Sequence, residues 1–142
     1  MKNTYDVDSV VIPNIVDLTE FKYTPKQKTD TFRFLSAASV NYGKGFDILV
    51  KAYAKFLEDA KDLSTSGYKD THLTIMGDGP ELNNKKELAK SDCFVLARSL
   101  ETFWIVYIEA LATGTPVIVT WCGELEDFVN EENGILVGVD DI

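Results

Sequence analysis

The sequence predicts an α/β domain in which one parallel sheet carries helices on both faces. Short apolar runs bounded by Gly, Pro and Ser recur along the chain, and without clean alternation they are typical of strands buried on both faces. Longer helical patterns separate these runs, and strands that alternate with helices form right-handed βαβ units. Ligands of such sheets bind at the carboxyl ends of the strands, so we expect the site after Leu35, Met76 and Leu96.

Six apolar runs are the predicted strands. They cover residues 10–12, 32–35, 73–76, 93–96, 116–119 and 135–137. His72 is the only histidine and opens the third run. A hydrolytic triad, or a zinc site of His and Cys ligands, needs partners that the chain mostly lacks. We therefore assign His72 a structural role in a buried strand.

Four helical patterns lie between the strands. The clearest covers residues 46–61, where apolar side chains follow the 3.6-residue period and should face the sheet: Phe46, Leu49, Val50, Tyr53, Leu57 and Ala60. A weaker, mostly polar helix over 81–90 begins after Pro80. The pattern over 103–112 is apolar almost all round and predicts a buried helix, and 125–129 predicts a helix of one or two turns. The polar stretches 24–30 and 64–70 are predicted to be loops with little chemistry.

Composition excludes several classes of function. The 142 residues include 14 Lys and Arg against 23 Asp and Glu, which gives a net charge of -9. This balance is opposite to what binding of a phosphate backbone needs, so nucleic acid is not the expected partner. No apolar stretch reaches the roughly 20 residues that cross a bilayer. Cys93 and Cys122 lack C-x-x-C spacing, and we expect buried thiols in a reducing cytosol.

The turn after the second strand presents a cation. Lys44 lies between Gly43 and Gly45, directly before the first helix. Glycines permit a positive φ and close backbone approach, so an anion could bind free N–H groups while Lys44 neutralises its charge. The alternative is a solvated lysine in a tight turn, which this segment alone favours.

Two carboxylates mark the helix over 103–112. Glu101 precedes it and Glu109 lies inside it, where a carboxylate without a partner would be costly. The Glu109 side chain leans toward the helix N-terminus, where a bound phosphate would place a ribose within reach. The alternative is an ion pair with a cation of the next layer. A glycosidase pair is excluded, because this helical spacing separates the carboxylates by about 12 Å, beyond the roughly 6.5–9.5 Å of inverting enzymes.

Glu101 and Glu109 form an E-x-x-x-x-x-x-x-E motif whose setting resembles the donor-binding half of retaining glycosyltransferases with the GT-B fold, family 4. The other segments that carry the resemblance follow the order of the family: 11–14, 16–17, 21, 43–47, 76–81, 93–96, 112–118 and 132–137. The resemblance implies a Rossmann-like sheet, the C-terminal half of a GT-B enzyme. Residues 1–142 would form a single nucleotide-sugar donor-binding domain. Residues 1–24 would lead in from an N-terminal acceptor domain that this chain lacks.

The resemblance implies a retaining hexosyltransferase that takes a sugar from a nucleotide-diphospho-sugar, without a cofactor or bound metal. Lys44 matches the lysine on the donor phosphates, and Glu101 matches the acid on the donor sugar; these two are the implied catalytic residues. Glu109 matches the acid that holds the ribose hydroxyls. The other donor-binding positions are Gly43, Phe103, Trp104 and Ile105. The implied location is cytoplasmic, peripheral to the membrane in the full-length enzyme. Because a GT-B site lies between two domains, we expect no turnover by this chain alone.

The chain departs from the family at several places. Trp104 stands where the family has a glycine beside the phosphates, and Ser39 stands where it has an arginine. The further strand and helix that the family carries between Lys90 and Ser91 are absent. Trp104 and the missing unit favour an alternative, a non-catalytic nucleotide-binding or interaction module derived from the same fold.

Overall fold

The computed structural model describes residues 17–19, 21–39, 44–60, 68–77, 84–97, 105–121 and 128–138. Strands and helices alternate as β1 (Thr31–Ala37), α1 (Phe46–Asp59), β2 (Asp70–Met76), α2 (Asn84–Lys90), β3 (Cys93–Leu96), α3 (Ile105–Ala112), β4 (Val117–Thr120) and β5 (Gly134–Val137). The strands form one sheet in the order β2-β1-β3-β4-β5, and every pairing is parallel. The predicted α/β class is confirmed.

The predicted elements agree with this order. Five of the six predicted strands are present, and the run at 10–12 lies outside the described residues. The described parts of the helices predicted over 81–90 and 103–112 are helical. Phe128 and Val129 are not helical, so the helix predicted over 125–129 is wrong at these two residues. Across the described ranges, no helix has the length and apolar character needed to span a membrane.

Helices lie on both faces of the sheet, as predicted. Successive residues of a strand point to opposite faces. Phe34 of β1 contacts Tyr53 and Phe56 of α1, with ring centroids 6.0 and 5.9 Å apart. The next residue, Leu35, belongs to the core cluster that contains Leu88 of α2. The two helices therefore cover opposite faces of β1.

The core lies around the central strands β1, β3 and β4. Its fully buried side chains are Leu35, Leu88, Phe94, Leu96, Tyr107, Ala110, Val117 and Val119. The rings of Phe94 and Tyr107 meet edge to face with centroids 5.7 Å apart, which joins α3 to β3. Cys93 is buried as predicted, and burial together with the charge of Asp92 raises the pKa of its thiol to about 12. This cysteine is a small apolar side chain, whereas Cys122 lies outside the described residues.

The structure corrects the predicted burial of β2 and of two helices. β2 is an edge strand, so His72 and Thr74 are exposed instead of buried on both faces. α1 faces the sheet along Leu49, Tyr53 and Phe56, and Leu49 is its only buried residue. The helix is therefore rotated relative to the prediction, and this rotation turns Val50 and Leu57 toward solvent. α3 is less buried than predicted, since Ile105 at its start is 40% exposed.

The polar stretch predicted as a loop over 24–30 holds the amino end of the sheet. Lys26 Nζ donates hydrogen bonds to the Leu88 carbonyl oxygen at 2.8 Å, to Thr115 Oγ1 at 2.7 Å, and to the Ser91 carbonyl oxygen. Desolvation lowers the pKa of Lys26, although the charge of Asp92 acts in the opposite direction. These contacts tie the segment before β1 to the end of α2 and the start of β4.

Candidate functional site

Three neighbouring strands end at the same edge of the sheet. Ala37 of β1 lies opposite Met76 of β2, and the N–H of Ala38 donates to the Met76 carbonyl oxygen at 3.1 Å. β3, the other neighbour of β1, ends at Leu96. The loops that follow these strands therefore leave from one edge, which we call the carboxyl edge. This is where ligands bind in open parallel sheets.

Two of these loops come into close contact at Gly45. It is the N-cap of α1 with φ 65°, a left-handed conformation that glycine adopts readily. A Cβ at this position would overlap the backbone carbonyl oxygen of Ala97, the first residue after β3. Glycine is thus required both by the backbone conformation and by the close approach. The start of α1 consequently touches the chain that leads toward α3.

Lys44 lies directly before this contact and is half-buried. The first N–H groups of a helix have no partner within the helix, and Gly45 has no side chain to cap them. The positive end of the α1 dipole and the Lys44 ammonium are therefore adjacent in the chain. Two positive features side by side favour an anion between or beside them.

α3 brings Ile105 and Glu109 to the same side of the sheet. The helix follows β3, so its N-terminus lies at the carboxyl edge, and Ile105 is its first residue. Glu109 is half-buried and comes four residues later, a rise of about 6 Å along the axis. Helical side chains lean toward the N-terminus, so the Glu109 carboxylate extends back toward the edge.

Three of the seven predicted site residues fall within the described chain, namely Lys44, Ile105 and Glu109. All three belong to segments that begin at the carboxyl edge. Gly43, Glu101, Phe103 and Trp104 lie outside the described residues. The roles assigned to Glu101 and Trp104 therefore stay predictions.

Two features of this edge were not predicted from the sequence. One is the contact of Gly45 with Ala97. Its only hint in the sequence was the glycine itself, which can adopt a positive φ. The other is Ser36, which is fully buried near the end of β1 with no hydrogen-bond partner for its hydroxyl. A serine within an apolar strand was its signal. In the described ranges, no group of three or more His, Cys, Asp or Glu side chains could hold a metal ion.

The chain is similar in sequence to known glycosyltransferases. The family model described as glycosyl transferases group 1 matches residues 82–142. The alpha-monoglucosyldiacylglycerol synthases of Streptococcus pneumoniae and Acholeplasma laidlawii are 24% and 25% identical over 89% and 92% of this chain. An N-acetylgalactosamine-N,N'-diacetylbacillosaminyl-diphospho-undecaprenol 4-alpha-N-acetylgalactosaminyltransferase of Campylobacter jejuni is 32% identical over 75% of it. The chain covers 35%, 41% and 33% of these three relatives, so it spans roughly a third of their length.

A solved structure shares the fold. The catalytic domain of Starch Synthase IV from Arabidopsis thaliana, determined with ADP and acarbose, superposes with a TM-score of 0.56 at 12% identity. The superposition covers 87% of this chain and 31% of that protein. The fold is thus that of a Rossmann-like α/β domain. Together with the sequence matches, it confirms the predicted resemblance to the C-terminal domain of GT-B glycosyltransferases.

The synthase alignments also show that this chain is shorter than its relatives within the shared region. One alignment extends over 165 residues but covers only 89% of the 142 residues here. A second extends over 170 residues and covers 92%. The synthases must therefore carry residues that have no counterpart in this chain. This agrees with the predicted lack of one strand–helix unit.

Proposed function

We propose that the carboxyl edge binds the nucleotide-diphospho-sugar donor of a retaining, family 4 hexosyltransferase. The contact between Gly45 and Ala97 carries the proposal. Lys44 precedes Gly45, and Gly45 touches Ala97, the residue from which the chain continues to Glu101 and α3. Side chains far apart in the sequence can thereby act on one ligand.

The diphosphate would lie between Lys44 and the first N–H groups of α3, including that of Ile105. When the bond between the sugar and the diphosphate breaks, negative charge develops on the leaving group. Lys44 and the positive helix end stabilise that charge in place of a divalent cation. Their contribution grows as the charge grows, so it lowers the barrier more than it strengthens ground-state binding.

The remaining predicted residues complete the donor site. Glu109 accepts hydrogen bonds from the ribose hydroxyls, a task that suits a half-buried carboxylate one helical turn from the phosphates. Glu101 contacts the donor sugar. Gly43, Phe103 and Trp104 approach the phosphates through their backbone N–H groups.

The acceptor would bind mainly to parts of the enzyme that this chain does not include. The names of the relatives refer to diacylglycerol and to diphospho-undecaprenol, which are lipids. We extend the proposal to a lipid-linked acceptor and to a cytoplasmic enzyme that works at the membrane surface.

Calorimetric titration with UDP, GDP and ADP tests the donor site. Lys44→Ala should weaken binding of the preferred nucleoside diphosphate by about tenfold or more, the scale of a hydrogen bond to a charged group. It should affect the free nucleoside far less, because only the diphosphate presents charge to Lys44. Lys51→Ala is the matched control, since Lys51 is an exposed lysine on α1. Equal losses for nucleoside and diphosphate, or equal effects of the two variants, would mean that Lys44 is a solvated lysine in a tight turn and does not bind the phosphates.

A second candidate function is a non-catalytic nucleotide-binding or interaction module. The residues that the synthases carry and this chain lacks favour it. In this case Trp104 crowds the phosphate site, and Trp104→Gly should raise the affinity for nucleoside diphosphate despite a helix-propensity cost of up to about 1 kcal/mol. Unchanged or weaker binding with a large drop in melting temperature would instead identify Trp104 as a core residue.

A further inference from the structure

β2 presents hydrogen-bonding groups away from the sheet. Its Met76 carbonyl accepts from Ala38, and its Asp70 N–H donates to Asp30, so the even-numbered residues direct their backbone groups toward β1. The intervening residues Thr71, Leu73 and Ile75 therefore direct theirs outward. The carboxylate of Asp70 already accepts from the Thr71 N–H. In the described part of the chain, no strand lies beyond β2.

Across the described ranges, the edge lacks three common protections against strand pairing. Native edges are blunted by lysine, proline or a bulge. Asp70–Met76 contains neither residue, and its pairing with β1 continues in register without interruption. Such an edge favours a further strand.

An exposed apolar surface flanks the same edge. Ile75 of β2 is 39% exposed, and Val50 and Leu57 of α1 are about half exposed. The hydroxyls of Tyr53 and Thr71 are 3.0 Å apart, which fixes α1 beside β2. Val50 and Leu57 lie three and four residues from Tyr53, on the same side of the helix. A strand added to β2 would therefore approach apolar side chains as well as backbone groups.

The strand–helix unit that the resemblance implies between Lys90 and Ser91, and that this chain lacks, would lie at this edge. β1 already has β3 as its other neighbour, so an additional unit between α2 and β3 would extend the sheet beyond β2. The synthases carry extra residues within the aligned region, and this chain does not. The surface that such a unit would cover is exposed here.

We propose that a second copy of this chain covers the edge, with the two β2 strands antiparallel about a two-fold axis at Leu73. Thr71 then faces Ile75 of the second copy, and the outward backbone groups of both strands pair once the Thr71 N–H leaves the Asp70 carboxylate. Asp70 faces Met76, and His72 faces Thr74. No like charges oppose each other, and Asp70 is the only carboxylate in the strand of a chain with net charge -9. The edge is thus complementary to itself, as a two-fold interface requires.

Sedimentation velocity over a range of concentrations tests the dimer. The parent chain should dimerise, and Ile75→Lys should raise the dissociation constant at least about tenfold, because it replaces an apolar side chain of the edge with lysine, the residue that blunts native edges. Ile135→Lys is the matched control, because Ile135 is an exposed isoleucine on β5 at the opposite edge. A monomeric parent, or equal effects of the two substitutions in variants with native circular dichroism, would overturn the proposal.

Cysteine cross-linking tests the register. In the proposed pairing, Leu73 faces itself with a Cα separation of about 5.5 Å, within the range of a disulfide. Leu73→Cys should therefore link two copies on oxidation. The Cα atoms at position 74 would be about 8 Å apart, too far for a disulfide, so Thr74→Cys should not form one. Peptide mapping separates these links from any at Cys93 or Cys122. A link at 74 but not at 73, or at neither, contradicts the pairing.

Discussion

The two ends of the sheet each contain a lysine and a glycine with positive φ, but they are built differently. At the carboxyl edge, Gly45 meets the backbone carbonyl of Ala97, which cannot move without shifting the chain. At the amino end, Gly114, with φ 78°, meets the ring of Tyr23, and that side chain is 70% exposed. An exposed ring can rotate away. The carboxyl edge is therefore fixed by a contact between backbone atoms, whereas the amino end is held by side chains.

Lys26 and Lys44 also lie in different electrostatic surroundings. Lys26 donates to carbonyl oxygens at the C-terminal end of α2, where the helix dipole is negative and a cation is stabilising. Lys44 lies next to the N-terminus of α1, where the dipole is positive and a cation gains nothing from it. The position of Lys26 is explained by the protein itself. For Lys44, the proposed anionic ligand would supply the favourable charge.

Substituting the two glycines should give the largest difference between the ends. Gly45→Ala should destabilise the protein by at least about 2 kcal/mol, from the left-handed backbone and from the shift imposed on Ala97. Gly114→Ala should cost about 1–2 kcal/mol, the backbone share alone, because Tyr23 can move. Urea unfolding measures both. Equal costs would mean that the contact with Ala97 relaxes as easily as the contact with Tyr23.

Exchanging each lysine for methionine should separate stability from binding. Lys26→Met should lower the free energy of unfolding by about 1.5–3 kcal/mol and leave the nucleoside diphosphate affinity of the folded protein unchanged. Lys44→Met should have the opposite pattern. Melting curves and calorimetry on both variants provide the comparison. A loss of affinity in folded Lys26→Met protein would show that the two ends are coupled.

Glu109 offers the finest test of the carboxyl edge. Glu109→Gln should weaken nucleotide binding by about 1–3 kcal/mol. The loss should be the same for nucleoside and diphosphate, because both contain the ribose. Glu58→Gln, at an exposed position of α1, is the control. Equal affinity of the folded variant and the parent would leave Glu109 with a structural role.

The apolar runs were sufficient to predict the strands because a parallel sheet buries short, continuous hydrophobic segments. They did not reveal which strand lies at the edge, since β2 is as apolar near its end as the central strands are. Spatial order, which the local pattern does not contain, decides that exposure. For the same reason, the periodicity of α1 predicted a helix but not the rotation that exposes Val50 and Leu57.

The candidate site, like the fold, could be predicted only in part from the sequence. The chemistry of a lysine between glycines and of a carboxylate in an apolar helix was visible in the sequence, and the resemblance gave those residues roles. The contact of Gly45 with Ala97 was not visible, because it joins segments separated by two strands and two helices. Lys26 was missed for a related reason: its partners Leu88 and Thr115 are 62 and 89 residues away. Local patterns carry no information about such partners.

The pairing of β1 gives the sheet a line of weakness. β1 pairs with β2 along its whole length, Thr31–Ala37, but pairs with β3 only at Phe34 and Leu35. Lys44 belongs to one side of this line, and Glu109 to the other. Local opening would break the short β1–β3 pairing before the longer β1–β2 pairing. A ligand that bridges the two sides would oppose this opening by mass action. Hydrogen exchange at the β1–β3 pairing would then slow as the ligand concentration rises, so these amides report occupancy of an edge they do not touch.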